Sequence, residues 1–191
     1  MVEMESAREL EVGDTVPAFE LPAADGDTYS VEDFTTNVAL LAVITCNHCP
    51  YAVAKIPALN AIAADYDDVA VVGINPNDAE AYPEDSFEEM QAVVGDGTVR
   101  YDAYLRDKSQ AIARAFGATC TPDPFLFRQS NGTFALIYHG RLDDAMDPDD
   151  QPSGEPGFEM REKIDQVLAG APIDQDFKPS RGCSVKWKDD S

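Results

Sequence analysis

Two cysteines, Cys46 and Cys49, stand three positions apart in this chain, with Asn47 and His48 between them. At this spacing each thiol can reach the other, as thiol–disulfide exchange through a mixed disulfide requires. Pro50 follows directly and suits the first turn of a helix. The unpaired N–H groups at a helix N-terminus stabilise a thiolate, which is the reactive form of cysteine. We therefore expect Cys46 to be the nucleophile and the more exposed thiol, and Cys49 to be the thiol that releases the mixed disulfide.

The histidine inside this motif has two interpretations. An imidazolium close to Cys46 would stabilise its thiolate and raise the reduction potential of the centre. Such an effect requires His48 to lie near the sulfur and to be at least partly protonated. We expect this tuning role for His48, and the alternative is a surface loop residue without effect on the thiols.

The hydrophobic pattern predicts the elements that position the two cysteines. Residues 38–44 are consecutively apolar, as in a strand buried on both faces of a mostly parallel sheet. Residues 51–66 show the helical spacing of apolar side chains, and Pro57 is expected to kink that helix. A second buried strand is predicted at 69–75, and a helix that opens with a proline and acids is predicted at 83–94.

The rest of the chain continues this alternation. Its patterns predict an N-terminal β-hairpin around Asp25-Gly26, a strand at 101–105, a helix at 109–116, a hairpin turn at Asn131-Gly132 and a last helix at 158–168. Residues 1–13 are expected to be a loosely attached lead-in. This order of elements predicts an α/β fold with a mixed sheet. We expect one domain over residues 1–170 and an irregular C-terminal extension, residues 171–191, which docks on it because it contains Trp187.

Composition excludes some classes of partner. Asp and Glu number 36 against 14 Lys and Arg, which gives a formal net charge of −22. Nucleic acid and membranes are therefore not expected as partners. The acids are spread along the sequence, which favours a solvated acidic surface, as in a halophilic cytoplasm, over an acidic binding patch.

The N-terminal residues, the hydrophobic pattern and the cysteines together predict the cellular compartment. The first residues lack the apolar core of a signal peptide, and no stretch reaches the ~18 apolar residues of a membrane span. We expect a soluble, cytoplasmic protein. Structural disulfides are uncommon in that compartment, so the four cysteines favour catalysis or metal binding over cross-linking.

Two further motifs accompany the Cys-x-x-Cys sequence. They are the segment Gly13-Asp14-x-Val16-Pro17-x-Phe19-x-Leu21 with Asp25-Gly26 after it, and the later pair Thr121-Pro122. With these motifs, residues 12–169 resemble the redoxin branch of the thioredoxin-like superfamily, which includes the AhpC/TSA peroxiredoxins and the TlpA/ResA-like thiol–disulfide oxidoreductases. The resemblance implies a thioredoxin-like fold, with a mixed central β-sheet flanked by helices. It also implies a cis peptide bond between Thr121 and Pro122 beside the cysteines, with the backbone of Thr121 offered to a substrate disulfide.

The chain departs from that family pattern in three ways. Thr45 stands where thioredoxins have a tryptophan, and the strand at 38–44 lacks the buried acid that moves the proton of the second cysteine. The peroxiredoxin pattern Pro-x-x-x-Thr/Ser-x-x-Cys fails whether it is counted back from Cys46 or from Cys49. Peroxidatic cysteines of that family depend on its hydroxyl to orient the peroxide. An oxidoreductase is therefore favoured over a peroxidase with Cys46 as the peroxidatic cysteine.

The other two cysteines are harder to interpret. Cys120 is either a small buried apolar residue or, next to the proline loop, a second resolving thiol. Cys183 lies in a locally basic segment, residues 179–188, which can fold back over the active site. Four cysteines allow three complete pairings. We expect Cys46–Cys49 together with a second redox pair, Cys120–Cys183.

A metal site is an alternative use of the same residues. The four cysteines, or His48 with three of them, can provide the tetrahedral ligand set of zinc. A zinc ribbon has two Cys-x-x-Cys motifs, whereas this chain has one, so no metal is expected. The sequence thus predicts a thiol–disulfide oxidoreductase that exchanges with protein or small-molecule dithiols and disulfides and requires no cofactor. A thiol peroxidase and a Cys-ligated metal-binding protein remain the alternatives.

Overall fold

The structure is a computed structural model, and it describes residues 2–173 and 176–188. Its strands are β1 (Glu3–Glu5), β2 (Glu20–Pro22), β3 (Thr28–Ser30), β4 (Ala39–Ile44), β5 (Val69–Asn75), β6 (Ala103–Arg106), β7 (Cys120–Thr121), β8 (Asp123–Ser130), β9 (Thr133–His139) and β10 (Arg181–Ser184). Its α-helices are α1 (Pro50–Val53), α2 (Ile56–Asp65), α3 (Phe87–Gly95), α4 (Ala111–Ala115) and α5 (Phe158–Leu168). Short 3₁₀ helices cover Val31–Phe34 and Pro83–Asp85.

The central sheet has five strands in the order β6-β5-β4-β8-β9. Strands β4, β5 and β6 run parallel, whereas β8 and β9 run antiparallel to their neighbours, so the sheet is mixed as predicted. Strand β4 lies in the middle, and every one of its residues is buried. Val38 was expected to begin this strand, but it lies outside the sheet and is exposed.

Alternate residues of β4 point into two different apolar layers. Leu40, Ala42 and Ile44 belong to the cluster that also contains Phe116, Phe125 and Phe127. Leu41 and Val43 belong to the opposite cluster, which contains residues of α2 and α5, namely Leu59, Ile62, Met160, Ile164 and Val167. Burial on both faces explains why the sequence of this strand is continuously apolar.

Two predicted helices are divided in the structure. The helix expected at 51–66 forms as α1 and α2, and Pro57 lies in the first turn of α2, where its missing N–H is not needed. The helix expected at 83–94 begins with a 3₁₀ turn at Pro83–Asp85, and α3 then starts afresh because Ser86 Oγ accepts a hydrogen bond from the N–H of Glu89 (3.3 Å). This interruption turns the side chain of Asp85 into the protein, where it is fully buried.

A small antiparallel sheet in the order β1-β10-β7 corrects two expectations. The C-terminal extension was expected to be irregular, yet it contains β10. The lead-in at 1–13 was expected to be loosely attached, yet it contributes β1, in which Met4 is opposite Gly182. Both short strands form through partners distant in sequence, so neither shows a local pattern that could have predicted it. Within the described residues, no helix is both long and apolar enough to cross a bilayer.

Candidate active site

Cys46 and Cys49 lie in the turn that joins β4 to α1. Strand β4 ends at Ile44, Cys49 is the N-cap residue of α1, and Pro50 is the first helical residue. Both cysteines are buried, with exposures of 2% for Cys46 and 0% for Cys49. Cys46 was expected to be the more exposed thiol, but in this structure both thiols are buried and differ by only these two percentage points.

The loop at Thr121–Pro122 lies directly beside both sulfurs. Its peptide bond is cis, as the resemblance implied. Thr121 Oγ1 is 3.2 Å from Cys46 Sγ, and the carbonyl oxygen of Thr121 is 3.4 Å from Cys49 Sγ. One residue of the loop therefore contacts both cysteines of the motif.

Strand β10 brings a third sulfur to this site. Cys183 is opposite Thr121 in the β7–β10 pairing, and its Sγ lies 2.6 Å from Cys49 Sγ. All four cysteines are in the reduced state. Cys120, the partner expected for Cys183, is opposite Ser184 instead, and its own thiol is 3.9 Å from the carbonyl oxygen of Pro122. The structure thus places Cys183 against Cys49.

The three clustered thiols differ in acidity. Burial, the hydrogen bond with Cys49 and the nearby carboxylate of Asp85 raise the pKa of Cys46. The pKa of Cys49 is lowered to about 5, first because the Cys46 thiol donates a hydrogen bond to its sulfur, and further because the thiol of Cys183 and the backbone N–H groups of Ala52 and Cys183 point at it. Burial and the contact with Cys49 raise the pKa of Cys183 to about 12. The negative charge therefore resides on Cys49 in this arrangement, which reverses the expectation for Cys46.

This distribution of charge predicts a pH dependence of stability in the reduced protein. Between about pH 5 and 9.0, Cys49 is a thiolate in the folded state but a thiol in the unfolded chain. The unfolded state then binds one more proton than the folded state, so the free energy of unfolding rises with pH across this window. The equilibrium constant for unfolding falls by up to about tenfold per pH unit. The contribution is lost as the pH falls towards about 5. Cys46 and Cys183, with raised pKa values, stay protonated in both states below the ordinary thiol pKa of 9.0.

Urea unfolding of the reduced wild type and of Cys49→Ser, followed over the same pH range, measures this effect. The stability difference between the two proteins should widen as the pH rises. Cys120→Ala is the matched control, because the pKa of the buried Cys120 is raised and its thiol does not titrate in this window. A difference that stays constant with pH would contradict the assignment of the charge to Cys49.

A buried carboxylate that sequence reasoning missed holds the other side of the cysteine turn. Asp85 Oδ1 accepts hydrogen bonds from the backbone N–H of Asn47 (2.6 Å) and from the side chain of Asn75 (3.3 Å). Its Oδ2 accepts one from Asn77 Nδ2 at 2.8 Å and lies 2.5 Å from Nδ1 of His48. Asp85 comes from a segment predicted to be an ordinary helix N-terminus, so no local signal marked it as part of the site.

His48 is the second group beside Cys46. Its ring stacks on Tyr82 with the centroids 4.8 Å apart, and its Nε2 has no hydrogen-bond partner. One ligand atom each from Cys46, His48 and Asp85 lie within 4.8 Å of one another. Among the described residues, this is the set with the composition of a metal site, and it differs from the four-cysteine set considered for zinc. Its imidazole and carboxylate already bind each other.

The second histidine of the chain lies away from the cysteine turn. His139 is buried in β9, where its Nε2 is 2.6 Å from Oδ1 of Asp123, and its ring stacks on Phe125. Asp123 follows the Thr121–Pro122 loop, and burial raises the pKa of its carboxyl group. These contacts give His139 a structural role in the core.

The fold and the paired thiols beside a proline loop define a protein of the thioredoxin-like superfamily, redoxin branch. More particularly, residues 12–136 match the model of the AhpC/TSA family, and the chain belongs to that family. Both statements confirm the resemblance seen in the sequence. Membership indicates a thiol-based oxidoreductase or peroxidase. No curated protein matches the sequence.

Solved structures agree with this classification. An uncharacterized conserved protein from Geobacillus kaustophilus is 36% identical, with a TM-score of 0.90, over 100% of this chain and 99% of that one. A hypothetical protein from Sinorhizobium meliloti 1021 is also 36% identical, with a TM-score of 0.88, over 97% of this chain and 98% of that one. A putative thiol:disulfide interchange protein DsbE from Chlorobium tepidum is 22% identical with a TM-score of 0.57, over 84% of this chain and 98% of that one, which shows the shared fold alone.

Proposed function

We propose that this chain is a thiol–disulfide oxidoreductase whose redox centre is the pair Cys46 and Cys49. The observation that carries the proposal is the convergence of both sulfurs on Thr121, at 3.2 Å from its hydroxyl and 3.4 Å from its carbonyl oxygen. Two thiols that share a hydrogen bond, with one of them ionised, are the arrangement that exchange with a disulfide requires. The substrates are protein or small-molecule disulfides and dithiols.

The reaction follows from the proton that the two sulfurs share. Cys46 attacks a substrate disulfide as its proton passes along the hydrogen bond to Cys49, and the Thr121 hydroxyl stabilises the negative charge on Cys46. The attack forms a mixed disulfide and releases one substrate sulfur as a thiolate. Cys49 then gives its proton to that leaving sulfur and attacks Cys46. A Cys46–Cys49 disulfide forms, the second substrate sulfur departs, and the substrate gains two electrons. Oxidation of a dithiol runs through the same steps in reverse.

His48 tunes this centre in the proposal. It reaches Cys46 as a neighbour, and Asp85 fixes the orientation of its ring through the contact at Nδ1. A histidine held in this way stabilises the reduced centre when it is protonated, and such stabilisation raises the reduction potential. The centre is therefore less reducing than one without a histidine.

Reduction of insulin disulfides with dithiothreitol as the electron donor tests the function. Cys46→Ser removes the attacking sulfur of the proposed centre, so turnover should fall well below the wild-type rate and retain only what Cys49 supports without Cys46. Cys120→Ala should keep the wild-type rate, because Cys120 contacts the carbonyl of Pro122 rather than the redox pair. Full activity of Cys46→Ser would refute the proposed centre.

A thiol peroxidase is the second candidate. Thr121 supplies a hydroxyl at Cys46, the kind of group that the local sequence pattern lacked. Consumption of hydrogen peroxide by the reduced protein separates the two functions in the same set of variants. The oxidoreductase requires a rate close to that of free cysteine, whereas rapid consumption that Cys46→Ser abolishes would favour the peroxidase.

A further inference from the structure

Strand β10 lies against Thr121, where the family resemblance implies that a substrate disulfide binds. That resemblance implied that the backbone of Thr121 is offered to an incoming disulfide. In the structure, β10 pairs antiparallel with β7, and Cys183 is opposite Thr121. An extended peptide that adds a strand to a sheet edge gains affinity from main-chain hydrogen bonds and specificity from its side chains. The chain's own C-terminal segment, residues 176–188, binds the site in this mode.

The glycine that precedes Cys183 allows the strand to approach this closely. A Cβ atom on Gly182 would overlap the carbonyl group of Thr121 and crowd the nitrogen of Pro122. Only a residue without a side chain therefore fits against the loop at this position. The pairing places the next residue, Cys183, with its sulfur 2.6 Å from Cys49 Sγ.

Polar contacts on both sides hold the C-terminal segment in this register. Before Cys183, Ser180 Oγ donates a hydrogen bond to the carbonyl oxygen of Pro122 at 2.7 Å. Arg181 binds Glu3 of β1, and Glu3 in turn accepts a hydrogen bond from Tyr51 of α1 at 2.8 Å. After Cys183, the N–H of Lys186 donates to Asn77 Oδ1 at 2.9 Å. The segment is thus connected to α1, the helix that follows Cys49.

We propose that Cys183 is a third redox thiol and that the C-terminal segment is a built-in exchange partner for the Cys46–Cys49 pair. This inference rests on the proposed function. In the oxidised centre, the sulfur of Cys183 attacks that of Cys49. A Cys49–Cys183 bond forms, the Cys46–Cys49 bond breaks, and Cys46 leaves as a thiolate that takes up the proton from Cys183. No electrons are gained or lost. The Thr121 hydroxyl, 3.2 Å from Cys46 Sγ, stabilises the leaving thiolate.

Oxidation of the full chain carrying Cys46→Ser by glutathione disulfide tests the contact between Cys49 and Cys183. Attack of Cys49 gives a mixed disulfide with glutathione, and Cys183 resolves it with release of a second glutathione. The products are identified by proteolysis under non-reducing conditions and mass spectrometry. The Cys49–Cys183 disulfide should be about tenfold or more in excess over the glutathione adduct, because Cys183 is held beside Cys49 and competes with free glutathione at a millimolar or higher effective concentration. An excess of the adduct, or of Cys120–Cys183, would overturn the inference. Cys46→Ala serves as a second variant should the serine perturb folding.

Two further proteins separate this inference from the proposed function. The Cys120→Ala chain, oxidised by glutathione disulfide, should contain both Cys46–Cys49 and Cys49–Cys183, and Cys46–Cys49 alone would refute the exchange. The Cys183→Ser chain should form Cys46–Cys49. If it forms no such disulfide, the proposed redox centre fails, even where Cys46→Ser still joins Cys49 to Cys183.

Discussion

A Gly182→Ala variant is expected to react with thiol reagents at Cys46 and Cys49 about tenfold faster than the parent protein. The new methyl group would overlap the carbonyl of Thr121, so β10 can no longer lie against β7. Overpacking of this kind costs about 1–3 kcal/mol. A cost of ~1.4 kcal/mol changes the ratio of open to closed molecules tenfold. Cys183 contacts Cys49 and lies in the same buried cluster as Cys46 in the closed state, so displacement of β10 should expose both thiols.

The rate of modification by an aromatic disulfide that releases a coloured thiolate, followed by stopped-flow absorbance, measures this exposure. Mass spectrometry identifies the modified cysteines. Ser184→Ala is the matched control, because it changes the same strand without adding an atom against the loop. It removes only the hydroxyl that accepts a hydrogen bond from Lys186 Nζ, which also binds the carbonyl oxygen of Ser184. Equal rates for Gly182→Ala and the parent would show that β10 does not control access to the redox pair.

Replacing Asp85 with asparagine is expected to lower the pKa of Cys46 and to destabilise the protein. Burial is the main cause that raises the pKa of Cys46, and the Asp85 carboxylate adds to it, because a nearby negative charge disfavours a thiolate. Loss of that charge makes Cys46 more acidic, and its thiolate fraction at a pH below the pKa rises about tenfold for each unit by which the pKa falls. The asparagine also replaces one accepting oxygen by a donor. Each buried donor that then lacks an acceptor costs about 1–3 kcal/mol.

The pH profile of Cys46 alkylation and a urea unfolding curve report the two effects separately. Glu84→Gln is the appropriate control, since it removes the same charge from the neighbouring residue, whose side chain is exposed. If the pH profile of Cys46 alkylation is the same in Asp85→Asn as in the parent protein, Asp85 does not influence the pKa of Cys46. Unchanged stability would show that its hydrogen bonds to Asn47 and Asn77 contribute little to folding.

The parts of the structure that the sequence predicts are those with local causes. Strand β4 is continuously apolar because both of its faces are buried, and the proline after Cys49 begins a helix in the structure as well. The last helix, α5, has the predicted bounds, and Asn131 and Gly132 form the predicted hairpin turn with positive φ angles. Each of these features depends on neighbouring residues along the chain, which a pattern can record.

The parts that the sequence does not predict depend on tertiary partners. Strand β10 pairs with β1 and β7, which are remote along the chain, and nothing in its own residues indicates a strand. Cys183 of this strand lies in the buried cluster with both thiols and helps to lower the pKa of Cys49, after the hydrogen bond from Cys46, so the charge was assigned to the wrong thiol and the burial of both was not foreseen. Asp85 enters the site only because Ser86 starts a new helix after it. These errors share one cause, since long-range contacts set the environment of a side chain.

The four hydrogen-bonding partners of Asp85 make the two sides of the cysteine turn mechanically unequal. On one side, a single carboxylate joins the turn to the end of β5 through Asn47, His48, Asn75 and Asn77. On the other side, β10 is the middle strand of a small sheet with β1 and β7. Amide protons on the Asp85 side should therefore exchange with deuterium slowly and independently of redox state, and those of β10 should respond to it. We expect structural change during turnover to be confined to the β10 side, with the geometry around Cys46 preserved.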